Sequence, residues 1–335
     1  MVDIAIKPLR SEANHFVGNF ANCLQRNGYS VGRFEWRSFY QAKTVILHWP
    51  DEFFKKLSFR QALGCVVKLL LMRLGRAVRG SRFIWVAHNV QPHENPWISW
   101  RTTAFLKSLD GIIFLSHFSE RAVRDLHQLP ADLQVLVTVH GNYRENMVSS
   151  PEPARALSGA VRLVQFGQIR RYKNVEKLVE AVTALTEKDI RLDVVGRGDD
   201  VDYIAQIRLL AEKSKSVRIN ITDHYIADSD LERHIDDADG VVLTYRNILN
   251  SGSVFLALSR NRPVLAPRLG SLPEMRDQIG EDWLYLYDGE IDHLIVGKFV
   301  EWLRIRKQQQ YCDLSAFSWT RVGDDLSGFI RSLHA

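Results

Sequence analysis

The stretch VRLVQFGQIRRYKNVEKLVEA, residues 161–181, decides the fold. An apolar run ends at Gly167, the cations Arg170, Arg171 and Lys173 follow, and apolar positions then recur at helical spacing from Asn174 to Leu185. A continuously apolar strand feeding a helix through a short loop is the βα unit of a parallel sheet buried on both faces. The alternation continues on either side. Downstream, IRLDVVGRG, VRINIT, GVVLTY, PVLAP and WLYLY read as strands, with helical patterns at 201–213 and from Ser251. Upstream, VDIAI, SVGRFEW, TVILHW, FIWVAH, GIIFLS and QVLVTVH read as strands, and residues 14–26 as an amphipathic helix. The proline-bearing SSPEPARA at 149–156 reads as a linker. The expectation is α/β: two Rossmann-like domains, 1–150 and 151–315, and a helical segment at 316–335. Two doubly wound sheets place ligands at the carboxyl ends of their strands, here in a cleft between the domains.

Composition narrows the class. The 335 residues are 46% apolar and 25% charged, which excludes disordered and low-complexity chains. Cys23, Cys65 and Cys312 are widely spaced and form neither a disulfide framework nor a zinc pattern, so a reducing compartment is expected. No signal-peptide layout and no apolar stretch of spanning length is visible. Residues 1–150 hold 19 Lys+Arg against 11 Asp+Glu, whereas the remainder holds 25 against 28. The basic half points to an anionic partner. Its densest segment, 53–82, carries eight cations and no acid, with apolar residues at 59, 62, 63, 66, 67, 70, 71 and 74. That pattern suits an amphipathic helix lying on an anionic membrane, and equally a domain helix with its cations in water. Nucleic acid is not expected, because stacking aromatics and known binding motifs are missing.

Two segments carry phosphate chemistry. Gly167 permits close backbone approach, and Arg170 and Lys173 stand before a helix, where cations suit a diphosphate. In YRNILNSGSVF, Tyr245 is followed by Asn250, Ser251, Gly252 and Ser253 at a helix start. Free N–H groups and hydroxyls there form an anion cradle. An ordinary N-cap explains one of these polar residues but not all of them.

These residues resemble the GT-B nucleotide-sugar glycosyltransferases, near glycosyltransferase family 4 and the 4-β-mannosyltransferases of bacterial exopolysaccharide assembly. FGQIRRYKN, NRPVLAPRLGSLPEM (261–275), HIDDADGVVLTY (234–245) and FSW (317–319) carry the resemblance across most of 160–335. HWP (48–50), AHN (87–89), PHE (92–94) and VHG (139–141) extend it more weakly into the first half. The resemblance implies a GT-B fold with an acceptor-binding domain at 1–150, a donor-binding domain at 151–315 and a C-terminal helix crossing back to the first domain. It implies that Gly167, Arg170, Lys173, Tyr245 and residues 250–253 hold the donor diphosphate. Tyr225 and Ile226 flank the base, and His88 lies beside the donor sugar. The Glu-x7-Glu pair of retaining members falls on Ile248 and Leu256, so both carboxylates are missing.

A base for the acceptor hydroxyl must come from the first half. Asp51, His93 and Glu94 are candidates beside His88, and each His could equally be a structural residue. His48 and His140 stand at other strand ends. Asn14, His15 and Glu52 are candidate acceptor contacts, although Asn14 is also a natural helix cap. The expected activity is transfer of a sugar from a nucleotide diphosphate sugar to a glycan or polyprenyl-linked glycolipid. GDP-mannose is favoured by the resemblance, and UDP-sugars remain open. No metal and no resident cofactor are expected. The expected location is the cytoplasm, peripheral on the inner face of the plasma membrane. An inactive GT-B scaffold and a nucleotide-sugar epimerase are the alternatives.

Overall fold

The computed structural model describes residues 2–9, 15–90, 96–154, 157, 159–185, 189–307 and 309–335. These residues form two six-stranded parallel sheets, each belonging to its own compact unit.

The first unit contains β1 (Val2–Lys7), α1 (His15–Arg26), β2 (Val31–Arg33), β3 (Ala42–His48), α2 (Phe59–Arg79), β4 (Arg82–Ala87), α3 (Trp100–Leu106), β5 (Gly111–Phe114), α4 (His117–Leu126) and β6 (Gln134–Val137). Its sheet order is β2-β1-β3-β4-β5-β6, so the direction of winding reverses between β1 and β3. The inner strands β3, β4 and β5 are apolar runs with both faces covered, as the sequence demands of a parallel sheet, whereas the edge strands β2 and β6 are more open. On one face, Phe16, Val17, Phe20 and Leu24 of α1 pack over Ile4, Ile46, Ile84 and Ile113. On the other, Cys65, Leu69 and Met72 of α2 pack with Val45, Phe83, Phe105 and Phe114.

The second unit spans Asn142–Ala316. Its elements are β7 (Val161–Gln168), α5 (Val175–Thr183), β8 (Ile190–Arg197), α6 (Val201–Ala211), β9 (Val217–Thr222), α7 (Asp228–Asp236), β10 (Gly240–Val242), α8 (Gly252–Ser259), β11 (Val264–Pro267), α9 (Leu272–Ile279), β12 (Leu284–Tyr287) and α10 (His293–Ile305). The order β12-β11-β10-β7-β8-β9 puts the reversal between β7 and β10. Residues 142–150 lie in this unit. The fully buried Arg260 guanidinium holds Ser149 through its carbonyl and hydroxyl, and pairs with Asp236 and Glu232. Tyr143 N donates to Ser259 Oγ, and Arg144 donates to the Cys312 carbonyl.

The chain returns to the first unit at Phe317 with α11 (Trp319–His334). Ser318 caps this helix, accepting from Arg321 N. Trp319, Val322, Leu326 and Ile330 complete the apolar layer over α1. Burying side chains of this size stabilises by about 1.5–3 kcal/mol each.

Candidate functional site

The loops after β7 and β10 flank the reversal point of the second sheet. That is where neighbouring crossovers leave on opposite faces and open a crevice. Gly167 stands at the end of β7 with φ +100, a conformation that L side chains rarely adopt. A Cβ there would lie 3.1 Å from Lys173 Nζ and 3.7 Å from Ser253 Oγ. A cation and a hydroxyl therefore converge over bare backbone.

A 3-10 turn at Arg171–Lys173 and a left-handed Asn174 place Lys173. The Thr244 hydroxyl, just past β10, fastens this turn by donating to the Lys173 carbonyl at 2.6 Å. Lys173 is buried, and no carboxylate is within ion-pair distance of it among the described residues. Its Nζ lies 5.7 Å from the Tyr245 ring centroid. Burial, and secondarily the nearby Arg170 charge, lower its pKa to about 8. Arg170 is more open, 3.9 Å from Asp199 and bonded to Gln168. Arg171 serves the scaffold. It grips Asp200, which also caps α6, and lies over Tyr203.

The other wall is the start of α8. Ser251 caps the helix by accepting from Val254 N, and Tyr245 Oη lies 3.1 Å from Ser251 Oγ. Burial raises the Tyr245 phenol to about 12, so it stays a neutral hydrogen-bonding group. Tyr143 was not singled out by sequence reading. A Cβ on Gly252 would lie 2.9 Å from its hydroxyl. Nothing in its residue type or spacing marks it, because the contact joins positions far apart in the chain. Asn250, half-buried, precedes the cap.

Tyr225 and Ile226 lie between β9 and α7, on the edge of the sheet and two strands from β7. Tyr225 is exposed and donates to Asp228. The structure does not bring this pair into the cradle. Ile248 and Leu256 occupy half-buried positions that cannot supply a carboxylate. Beyond Tyr245 a cavity of about 400 Å³ opens at the ends of β10, β11 and β12, lined by Asn174, Arg246, Arg268, Tyr287 and Asp288 among others. Asn174 Oδ1 is buried there without a hydrogen-bond partner among the described residues.

In the first unit, the ends of β3 and β4 and the segment after β6 gather His48, His88 and His140 around Phe16. The ring centroids of His88 and His140 lie 5.0 and 4.5 Å from that of Phe16. His48 Nδ1 is 2.8 Å from His88 Nε2. Trp49, in left-handed backbone at φ +48, stacks on His88 with centroids 4.5 Å apart. An aromatic residue held there is strained, as residues at ligand sites often are. Burial lowers His48 to about 3 and His140 to about 4. Burial, then the neighbouring His48 and His140, hold His88 well below its ordinary value. All three imidazoles are neutral at physiological pH.

Asp51 and His88 line one small cavity of about 10 Å³. Asp51 also pairs with Lys55 at 3.2 Å. Glu52 faces α2 instead, paired with Lys68 at 2.6 Å. His15 opens α1 and is half-buried. Asn14, His93 and Glu94 lie outside the described residues.

The basic segment divides its charges. Lys55, Lys68, Arg76 and Arg82 pair with Asp51, Glu52 and Asp110 of the same unit. Lys56, Arg60 and Arg73 are exposed. The apolar residues of α2 also divide. Cys65, Leu69 and Met72 face the core. Phe59, Leu63, Val67, Leu70, Leu74 and Val78 form an exposed stripe along the opposite side. No helix among the described residues is long and apolar enough to cross a membrane.

Comparison with known proteins places these features. The family "Glycosyl transferases group 1" matches residues 160–296, which contain both walls of the cradle. A GDP-mannose:glycolipid 4-beta-D-mannosyltransferase of Xanthomonas campestris pv. campestris is 31% identical over 282 residues, covering 83% of this chain and 76% of that protein. Anabaena HepE, solved in complex with UDP, matches with a TM-score of 0.64 at 14% identity, covering 99% of this chain and 98% of that one. Sucrose-phosphate synthase from Thermosynechococcus elongatus matches at 0.63 and 15% identity, over 98% and 81%. At these identities the structural likeness speaks to the fold, which is GT-B.

Proposed function

The chain belongs to the group 1 glycosyl transferases, and from that premise we propose that it transfers mannose from GDP-mannose to a hydroxyl of a polyprenyl-linked glycolipid during polysaccharide assembly. The 31% identical relative, whose name states this donor and acceptor class, supports the choice of substrates. The observation that carries the chemistry is the convergence of Lys173 Nζ and Ser253 Oγ over Gly167.

In this reading the second unit binds the donor and the first binds the acceptor. The acceptor oxygen attacks C1 of the sugar, the C1–O bond to the diphosphate breaks, and GDP leaves with the electron pair. Lys173, Arg170 and the N–H groups of α8 meet the charge that develops on the diphosphate, as preorganised donors do. Ser251 and Ser253 hydroxyls complete the cradle, with Asn250 and Gly252 shaping its edge. No metal is needed for this charge balance. His88 contacts the donor sugar. The acceptor proton goes to a base from Asp51, His93 or Glu94, and Asn14, His15 and Glu52 border the acceptor. Tyr225 and Ile226 flank the base of the nucleotide, by resemblance alone.

We place the protein peripherally on an anionic membrane surface. The exposed stripe of α2, bordered by Arg60 and Arg73, favours this. Apolar burial and charge attraction add in such a helix.

The test is an assay of purified protein with a polyprenyl-diphosphate-linked glycan and labelled GDP-mannose, UDP-glucose and UDP-galactose. Labelled lipid product from GDP-mannose is expected. Transfer from a UDP-sugar alone overturns the donor assignment. Conversion of GDP-mannose to another sugar nucleotide without acceptor identifies an epimerase, and nucleotide binding without turnover identifies a scaffold.

A further inference from the structure

The 2.8 Å contact between His48 Nδ1 and His88 Nε2 contains one proton, and the surroundings decide which ring owns it. If His88 donated, the neutral His48 would accept at Nδ1 and carry its own proton on Nε2. That atom is buried and has no hydrogen-bond partner among the described residues. The His48 ring sits against Phe20, Phe16 and Trp49, with centroids 5.0, 6.2 and 5.7 Å away. A buried N–H without an acceptor is rarer and costlier than a bare lone pair in the same place. His48 therefore donates from Nδ1 and leaves Nε2 as the lone pair. The lone pair of His88 is then occupied at Nε2, and its proton lies on Nδ1.

We propose that His48 is a positioning residue that holds His88 as the Nδ1-protonated tautomer, so that His88 meets its ligand as a hydrogen-bond donor and not as a base. This rests on the reading of His88 as a donor-sugar contact. A sugar hydroxyl or a phosphate oxygen can accept from Nδ1–H, whereas the proton of the acceptor hydroxyl cannot go to a nitrogen that already carries one. The base is then a group other than His88. Trp49, stacked on the His88 ring, fixes the same orientation from the other side.

The test uses the full chain labelled with [15N]histidine. Long-range 15N–1H spectra distinguish the two neutral tautomers, and His88→Gln and His48→Asn spectra assign the peaks. Both rings are expected to be protonated at Nδ1. A His88 protonated at Nε2 overturns the proposal. The second readout is kinetic. His48→Leu removes the donor, and turnover is expected to fall on the order of ten- to a hundredfold, as when a partner that fixes an imidazole tautomer is lost. His48→Asn restores an N–H near the place of Nδ1–H and is expected to recover most of that turnover. Equal losses in both variants, with both folded by thermal melting, overturn the positioning role. A His88→Ala protein with wild-type turnover overturns instead the reading of His88 as a sugar contact. The spectra are independent of activity, so the two failures are told apart.

Discussion

The cradle at the ends of β7 and β10 straddles the reversal of its sheet, whereas the histidine cluster at the ends of β3 and β4 lies to one side of the reversal between β1 and β3, and the two treat charge oppositely. The cradle keeps a buried cation with no carboxylate beside it among the described residues and a second cation near enough to lower its pKa. The cluster keeps three imidazoles that burial holds neutral. Holding Lys173 charged at neutral pH costs the folded protein roughly 3 kcal/mol, a penalty that the diphosphate of the proposed donor would relieve. The cluster offers only dipoles. Two parallel sheets thus present a buried cation at one set of strand ends and neutral imidazoles at the other. The difference lies in which side chains the strand ends carry.

Several experiments would sharpen or break this contrast. Lys173→Ala should lower turnover on the order of a hundred- to a thousandfold with the melting temperature kept or raised, because a donor to developing charge is lost together with a burial penalty. Wild-type turnover would erase the contrast. GDP affinity should weaken by up to about tenfold per pH unit above pH 8 as the free protein's Lys173 loses its proton. Calorimetric titrations at pH 7 to 10 check this, and Lys173→Met should bind weakly with a flat profile.

The cluster carries the opposite demand. His48 and His140 titrate at about 3 and 4 when folded, against roughly 6.5 unfolded. The unfolded chain takes up protons first as pH falls below 6.5, so stability is present above that value and declines toward pH 4. Each His contributes about 1.4 kcal/mol per pH unit over that window. Urea titrations of wild type and His140→Asn at pH 7 and 5 should show a shallower loss in the variant. A parallel decline would show that His140 is not held neutral.

On the surface, Leu63→Asp and Leu70→Asp should each weaken cosedimentation with phosphatidylglycerol vesicles by about tenfold while leaving the fold intact, since each removes an exposed apolar side chain from the stripe. Unchanged binding would detach α2 from the membrane. The smallest expected effect is none at all: activity should survive EDTA, and its loss with recovery on Mg²⁺ or Mn²⁺ would give the diphosphate a metal in place of Lys173.

Much of the cradle was legible in the sequence because phosphate sites reuse a local pattern of strand, glycine, cation and helix start. Gly167, Lys173 and Ser253 meet as that pattern requires. Arg171 looked equivalent to its neighbours, but Asp200, distant in sequence, turned it into a clamp. Segment 53–82 read as eight like cations, and four of them are committed to carboxylates. The apolar pattern of α2 was visible, but not that it serves two faces. A helix period shows which residues share a side without showing what covers that side.

Local sequence was enough to mark the twelve strands, several of the helices between them and the strand–glycine–cation pattern at 161–173, because apolar runs, helical spacing and capping residues act over a few neighbouring positions. The burial of Lys173 without a carboxylate partner among the described residues, the approach of Tyr143 to the start of α8 and the 2.8 Å contact between His48 and His88 came from the tertiary structure alone. Those facts depend on which strand ends lie side by side, and so on contacts between residues that chain distance does not predict.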